Sequence, residues 1–222
     1  MTSNGTTYEQ LRREVMEAAR AMHRSGLVVG SSGNVSARVR GEELLAITTA
    51  GKDYETMGLD EVVVTDFEGD AVEGDGLPST EMLMHVAIYR ARPDVRAVMH
   101  THSVYASALA VAGEPLPPLI DEMVIVLGDS IQVSDYAFPA TEELGDAVVA
   151  ALGERNAALI RNHGLVGVGS SLAEALHVCQ LAEHIAHIYA AAKTLGTPNP
   201  LPDEAIATET ALFRMSRKVE SA

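Results

Sequence analysis

Two histidines one residue apart, His100-Thr101-His102, close an apolar run that begins at Ala97. In an extended chain successive side chains alternate, so a strand over these residues places Val98, His100 and His102 on one face. Ala97, Met99 and Thr101 then face the other way. Two imidazoles pointing together are part of a nitrogen-rich metal site, because a catalytic zinc commonly keeps three protein ligands and an open fourth position. The third ligand must come from elsewhere. His163, in Arg161-Asn162-His163-Gly164, is the candidate, since it lies where a strand meets a glycine turn. Upstream, Pro78-Ser79-Thr80 reads as a helix entry with Ser79 or Thr80 as cap and Leu83, Val86, Ala87 and the stem of Arg90 as inner stripe. Glu81 then falls in the first turn. A helix start bearing a carboxylate and a strand end bearing two imidazoles would bring proton transfer and metal binding into one cleft.

Two loops add anion-binding chemistry. Gly30-Ser31-Ser32-Gly33-Asn34-Val35-Ser36 and Thr48-Thr49-Ala50-Gly51-Lys52 are rich in residues that tolerate positive φ and offer N–H or hydroxyl donors. Each sits at a strand end, so the two could converge on one anion. Neither has the Walker spacing, which argues against a nucleoside triphosphate.

The elements that must position these groups can be read from periodicity. Leu11, Val15, Ala18 and Met22 recur at helical spacing from Tyr8 to Arg24, with Arg12, Arg13 and Arg20 among the solvent-facing residues. Strands are expected at 35–39, 44–48, 61–66, 97–102, 123–127, 131–133, 157–160 and 165–168. Asp121 and Glu122 would form the mouth of the strand at 123–127. Helices are expected at 104–112, from Thr141 as cap through Leu152, over 172–195 with Ser171 and Glu174 in capping-box spacing, and from Glu204 to about Lys218. His177, His184 and His187 read as surface or packing residues on the long helix. Residues 1–7 and about 219–222 are expected to fray. No internal repeat is evident.

Composition narrows the function classes. At 222 residues, with 47% apolar and 21% charged residues, the chain suits a single globular domain over 1–222. Its 31 acidic against 16 basic residues argue against nucleic acid as a partner, since phosphate backbones are held by Lys and Arg clusters. A lone cysteine, Cys179, fits a reducing compartment. Apolar runs are too short to span a membrane, and no signal-peptide core stands at the N-terminus, so the cytoplasm is the expected location.

Taken together, Gly33-Asn34-Val35-Ser36, Thr49-Ala50-Gly51, Ser79-Thr80-Glu81, His100-Thr101-His102-Ser103 and Asn162-His163-Gly164 follow the order and spacing of the class II aldolase/adducin family, which the chain resembles over about residues 8–195. The resemblance implies a three-layer α/β/α fold around a largely antiparallel sheet, in a homotetramer with sites between subunits. It implies zinc held by His100, His102 and His163, and Glu81 as catalytic acid/base. Asn34, Gly51, Ser79 and Thr80 match the phosphate-binding positions. The implied reaction is retro-aldol cleavage of a ketose 1-phosphate, L-fuculose 1-phosphate or a related deoxy sugar phosphate, to dihydroxyacetone phosphate and an aldehyde. Related 4-epimerases carry Asp at the Glu81 position, so Glu81 favours cleavage over epimerisation.

Three departures bear on substrate. Ala50 replaces a hydroxyl residue, with Lys52 or Thr49 as substitute donors. Asp121 falls where a family tyrosine reaches across the subunit interface, and the C-terminal tail has no tyrosine. Glu122 aligns with the catalytic glutamate of the superfamily's methylthioribulose-phosphate dehydratases and is a candidate second acid/base. The alternatives are therefore a sugar-phosphate dehydratase or decarboxylase and, in another class, a non-catalytic adducin-like interaction module.

Overall fold

Short β-branched and apolar runs build the centre of the protein, seen in a computed structural model that describes residues 4–220, with the side chains of 8–217. The strands are β1 (Asn34–Arg38), β2 (Leu44–Thr48), β3 (Val62–Asp66), β4 (Ala71–Glu73), β5 (Ala97–Thr101), β6 (Ala157–Ile160) and β7 (Gly164–Gly169). They form one seven-stranded sheet in the order β4-β3-β2-β1-β5-β7-β6. Every pairing between these strands is antiparallel. The helices are α1 (Asn4–Arg24), α2 (Met82–Ala91), α3 (Val104–Ala112), α4 (Asp121–Leu127), α5 (Glu142–Leu152), α6 (Leu172–Leu195) and α7 (Asp203–Glu220).

The alternation within each strand divides the core into two layers. Val35, Ala37, Met99, Leu159 and Leu165 face α1, α3, α4 and α6. Ile47, Val63, Val98, Ile160 and Val166 face α2 and α5. A sheet covered on both faces needs apolar residues on both sides of each strand, which is why β5 is buried throughout. The result is the expected α/β/α sandwich. Among the described residues no helix is long and apolar enough to cross a membrane.

Several local expectations are corrected. Residues 123–127 belong to the helix α4 instead of a strand, because a short apolar run has no period that separates a buried helix from a buried strand. Asp121 and Glu122 consequently form the exposed first turn of a helix. Residues 131–133 make isolated bridges, Ile131 to Leu116 and Val133 to Leu159, without forming a ladder strand. Arg12 is buried: its Nε donates to the Val62 carbonyl at 2.7 Å and its Nη1 to Glu73 at 2.7 Å, which satisfies the charge inside. Arg20 likewise turns inward to the Met57 carbonyl. On α2 the buried residues are Met82, Met84, His85, Val86, Ile88 and Tyr89, so more of this short helix is enclosed than the expected stripe, with Leu83 and Ala87 only half-buried. Residues 1–3 and 221–222 lie outside the described residues. Residues 4–7 and 219–220 fall within the bounds of α1 and α7.

Candidate active site

Antiparallel register brings the chemical groups together. Asn34 on β1 lies opposite His100 on β5, and His100 lies opposite Val166 on β7. Gly33, at φ +75°, precedes Asn34 so closely to β5 that a Cβ there would meet the His100 carbonyl oxygen at 2.5 Å. At the other strand, Asn162 adopts φ +56° between β6 and β7, a left-handed conformation that Asn tolerates. That turn places His163 beside β5, and a Cβ on the following Gly164 would collide with the Thr101 carbonyl.

One ring nitrogen from each of His100, His102 and His163 lies within 4.8 Å of the other two. His100 Nδ1 is 2.9 Å from the Leu165 carbonyl, a bond in which only the imidazole can donate. Its Nε2 therefore presents a lone pair, which meets His102 Nε2 at 2.9 Å. Burial, then the neighbouring His163 and His102, holds the His100 pKa well below the ordinary value. Burial and His163 likewise lower that of His102. Imidazoles converging at this range match a divalent cation, for which ligand nitrogens of a tetrahedral site sit roughly 3.4 Å apart. Carbonyl anchoring of His100 is the support that metal-binding histidines ordinarily have.

Glu81 faces this cluster. Its Oε2 is 3.3 Å from His100 Nε2 and its Oε1 is 3.2 Å from His163 Nε2. The carboxylate is 8% exposed, Asn34 Nδ2 donates to Oε2 at 2.8 Å, and Oε1 is buried with no hydrogen bond. An acceptor so placed has spare capacity aimed at the three imidazoles, as a site designed to take a cation or a proton requires. Glu81 occupies the cap position of α2 and not its first turn, and neither Ser79 nor Thr80 caps the helix. Ser79 Oγ instead accepts from the Glu81 N–H at 3.3 Å.

The donor loops also meet. Ser79 N–H donates to the Thr48 carbonyl at 3.0 Å and Ala50 N–H to the Leu77 carbonyl at 3.2 Å, which holds residues 48–52 beside the start of α2. Gly51 is exposed at φ +71°, Ser79 is buried and Thr80 exposed. Thr49 spends its hydroxyl on the Glu61 carbonyl at 3.1 Å, and Lys52 pairs with Glu61 at 3.3 Å. Glu122 is not drawn into the cluster: it is exposed and, among the described residues, makes no hydrogen bond or ion pair.

His85 escaped the sequence reading. It is fully buried, its Nε2 is 2.5 Å from Asn34 Oδ1 and its Nδ1 is 2.7 Å from Ser36 Oγ, which in turn is 2.8 Å from the Tyr89 hydroxyl. Burial, with the nearby His100, pushes its pKa down to about 3. The available signal was spacing, since His85 is four residues from Glu81 and therefore on the same side of the helix start. His177, His184 and His187 are exposed on α6, with His187 stacked on Tyr105.

Comparison with known proteins agrees with this geometry. The family model described as Class II Aldolase and Adducin N-terminal domain matches residues 13–190. A 5-deoxy-D-ribulose 1-phosphate aldolase of Bacillus thuringiensis serovar kurstaki is 34% identical over 193 residues, 87% of this chain and 90% of the relative. The L-fuculose phosphate aldolase of Escherichia coli K12 is 34% identical over 206 residues, 92% of this chain and 94% of that protein. A solved L-fuculose 1-phosphate aldolase superposes with a TM-score of 0.88 at 34% identity, covering 96% of this chain and 98% of the other. Matched across most of its length in sequence and in fold, the chain belongs to the class II aldolase and adducin family, as one of its metal-dependent aldehyde-lyases.

Proposed function

We propose that this chain is a zinc-dependent aldolase, active in the cytoplasm, that cleaves a ketose 1-phosphate to dihydroxyacetone phosphate and an aldehyde. L-Fuculose 1-phosphate or a related deoxy sugar phosphate is the substrate class. The observation that carries this reading is the Glu81 carboxylate lodged against three convergent imidazoles, with its unbonded Oε1 buried among them. His100, His102 and His163 would hold the ion. Bound there, zinc supplies Lewis-acid polarisation of a carbonyl and offsets charge developing on enediolate oxygens.

The remaining steps fall to the chain's own groups. Gly51, Ser79 and Thr80, with the second amide hydrogen of Asn34, would seat the phosphate, an anion suited to donor loops beside a helix start. Breaking the C3–C4 bond releases the aldehyde as the C4 hydroxyl gives its proton to the Glu122 carboxylate, the bonding pair becomes part of the enediolate, and solvent supplies Glu81 with the proton it delivers next. Glu81 then delivers a proton to the enediolate carbon, forming a C–H bond and completing dihydroxyacetone phosphate. Glu122, exposed and uncommitted at the start of α4, is assigned to the aldehyde side and reached across a subunit boundary in a homotetramer. Exposed Tyr136 and Phe138, 60% and 72% accessible, support an assembly that covers them.

Relatives named for fuculose phosphate and for 5-methylthioribulose or 5-deoxyribulose 1-phosphate support this substrate class. The zinc-loaded protein should therefore release dihydroxyacetone phosphate from at least one of L-fuculose 1-phosphate, 5-deoxyribulose 1-phosphate and methylthioribulose 1-phosphate. A dehydrated ketone as the sole product would replace this reading with a Glu122-dependent dehydratase. A protein that binds no zinc and turns over none of them would point to an adducin-like module.

A further inference from the structure

Behind Glu81 runs a line of buried polar side chains whose accessibility is 3% at Asn34 and zero at Ser36, His85 and Tyr89. Its hydrogen bonds have one consistent direction. An ionised carboxylate only accepts, so Asn34 Nδ2 donates to Glu81 Oε2 at 2.8 Å and the amide oxygen is left facing His85. That oxygen needs a donor, so His85 carries its proton on Nε2, 2.5 Å away. Nδ1 of the neutral ring then accepts from Ser36 Oγ–H at 2.7 Å, and Ser36 Oγ accepts from the Tyr89 hydroxyl at 2.8 Å. Three separate elements contribute: β1 supplies Asn34 and Ser36, α2 supplies His85 and Tyr89, and the entry to α2 supplies Glu81. Such a network is costly to bury unless every member is satisfied. Here every nitrogen and oxygen from Asn34 to Tyr89 has a partner, and what stays open is the second amide hydrogen of Asn34 and Oε1 of Glu81, which is buried without a hydrogen bond.

We propose that His85 is the positioning residue of the active-site carboxylate, acting through Asn34 to anchor Glu81 Oε2 and leave Oε1 as the oxygen that exchanges the proton. This rests on the reading of Glu81 as the proton carrier. In the cleavage direction the Oε1–H bond breaks as the enediolate carbon takes the proton, and the carboxylate is regenerated. In reverse, a C–H bond of dihydroxyacetone phosphate breaks, its electron pair enters the enediolate and the proton arrives on Oε1. Asn34 is thereby given two duties, one toward Glu81 and one toward phosphate, and His85 determines how its amide is turned.

The test is exchange of the dihydroxyacetone phosphate C–H for deuterium in D2O, followed by NMR with the zinc-loaded enzyme, alongside kcat and KM for cleavage. His85→Leu removes the donor and should lower exchange and kcat at least about tenfold, as a displaced catalytic group does. KM should change less than about threefold, and zinc should stay at one per chain. His85→Gln, whose amide can place an N–H near the Nε2 position, should recover most of the loss. Equal loss in both variants, no loss in either, or a loss expressed only in KM would overturn the assignment. If His85→Leu does not fold, Ser36→Ala interrupts the next bond, and a fall in kcat at constant zinc content upholds the proposal while an unchanged kcat overturns it. Glu81→Gln separates the two readings: retained exchange there removes Glu81 as proton carrier, whereas an inactive Glu81→Gln beside an unaffected His85→Leu removes only His85.

Discussion

The two ends of β5 each carry a cluster of polar side chains, and they use it in opposite ways. At the end that leads into His102, the Nε2 lone pair of His100 meets His102 Nε2 at 2.9 Å and Glu81 Oε1 is buried without a hydrogen bond. At the other end a cavity of about 430 Å³ is lined by Arg92, Asp94, Arg96, Asn156 and Arg217, among others. Its charges largely satisfy one another. Arg92 grips Asp94 through two bonds of 2.9 Å and donates to the Gly153 and Arg155 carbonyls at 2.8 and 2.9 Å. Burial pushes the Asp94 carboxyl up, but Arg92 and Arg217 outweigh it and hold it down at about 2. The difference teaches that open volume is a poor guide to chemistry. What distinguishes a site is acceptor capacity that the fold leaves pointed inward at other chemical groups, and the histidine end has it in the open oxygen of Glu81.

The largest expected effect tests that contrast directly. His100→Ala should abolish zinc binding and lower cleavage at least about 10³-fold, several kcal/mol of transition-state stabilisation, while circular dichroism stays native. Retained cleavage in a zinc-free His100→Ala protein would erase the distinction between the two ends. A smaller effect of another kind is expected opposite. Arg92→Ala leaves Asp94 and two carbonyls with fewer partners and should cost about 1–3 kcal/mol in urea unfolding, with kcat and KM within twofold of the parent. Loss of turnover there would mean that the arginine end takes part in the reaction.

The smallest effect concerns pH. His85 titrates near 3 in the folded protein against an ordinary 6.5. Between those values the unfolded chain binds the proton and the folded chain does not, so the stability present above pH 6.5 declines as pH falls toward 3. Urea titrations of metal-free protein from pH 7.5 to 5 should show this, with a slope of at most ~1.4 kcal/mol per pH unit from this one group. His85→Gln should flatten the decline. An identical slope in the variant would place the proton uptake elsewhere.

Much of the scaffold could be read in advance where one period dominated. β2, β6, α3 and α6 match the expected residues because alternation or helical spacing there is bounded by clear stops, such as Ser171 ahead of α6 and Gly113 after α3. Residues 123–127 misled because five consecutive apolar positions satisfy either period, and their packing between α6 and α7 decided for helix. Arg12 misled because its donors are taken up by the Val62 and Leu59 carbonyls and its charge is paired with Glu73, residues remote in sequence that no local pattern announces.

The sequence by itself determined the chemical inventory. The His100–His102 spacing, the glycine after His163, the donor loops and the carboxylate at the start of α2 are facts of residue type and local period. Tertiary structure decided how that inventory is wired. Register between β1 and β5 sets Asn34 opposite His100, the left-handed turn at Asn162 brings in His163, and α2 packed against the sheet lowers His85 onto Asn34 and Ser36. Which oxygen of Glu81 is held and which is left open follows from those long-range contacts. No sequence period encodes it, because hydrogen-bond direction depends on which groups are buried together and not on their distance along the chain.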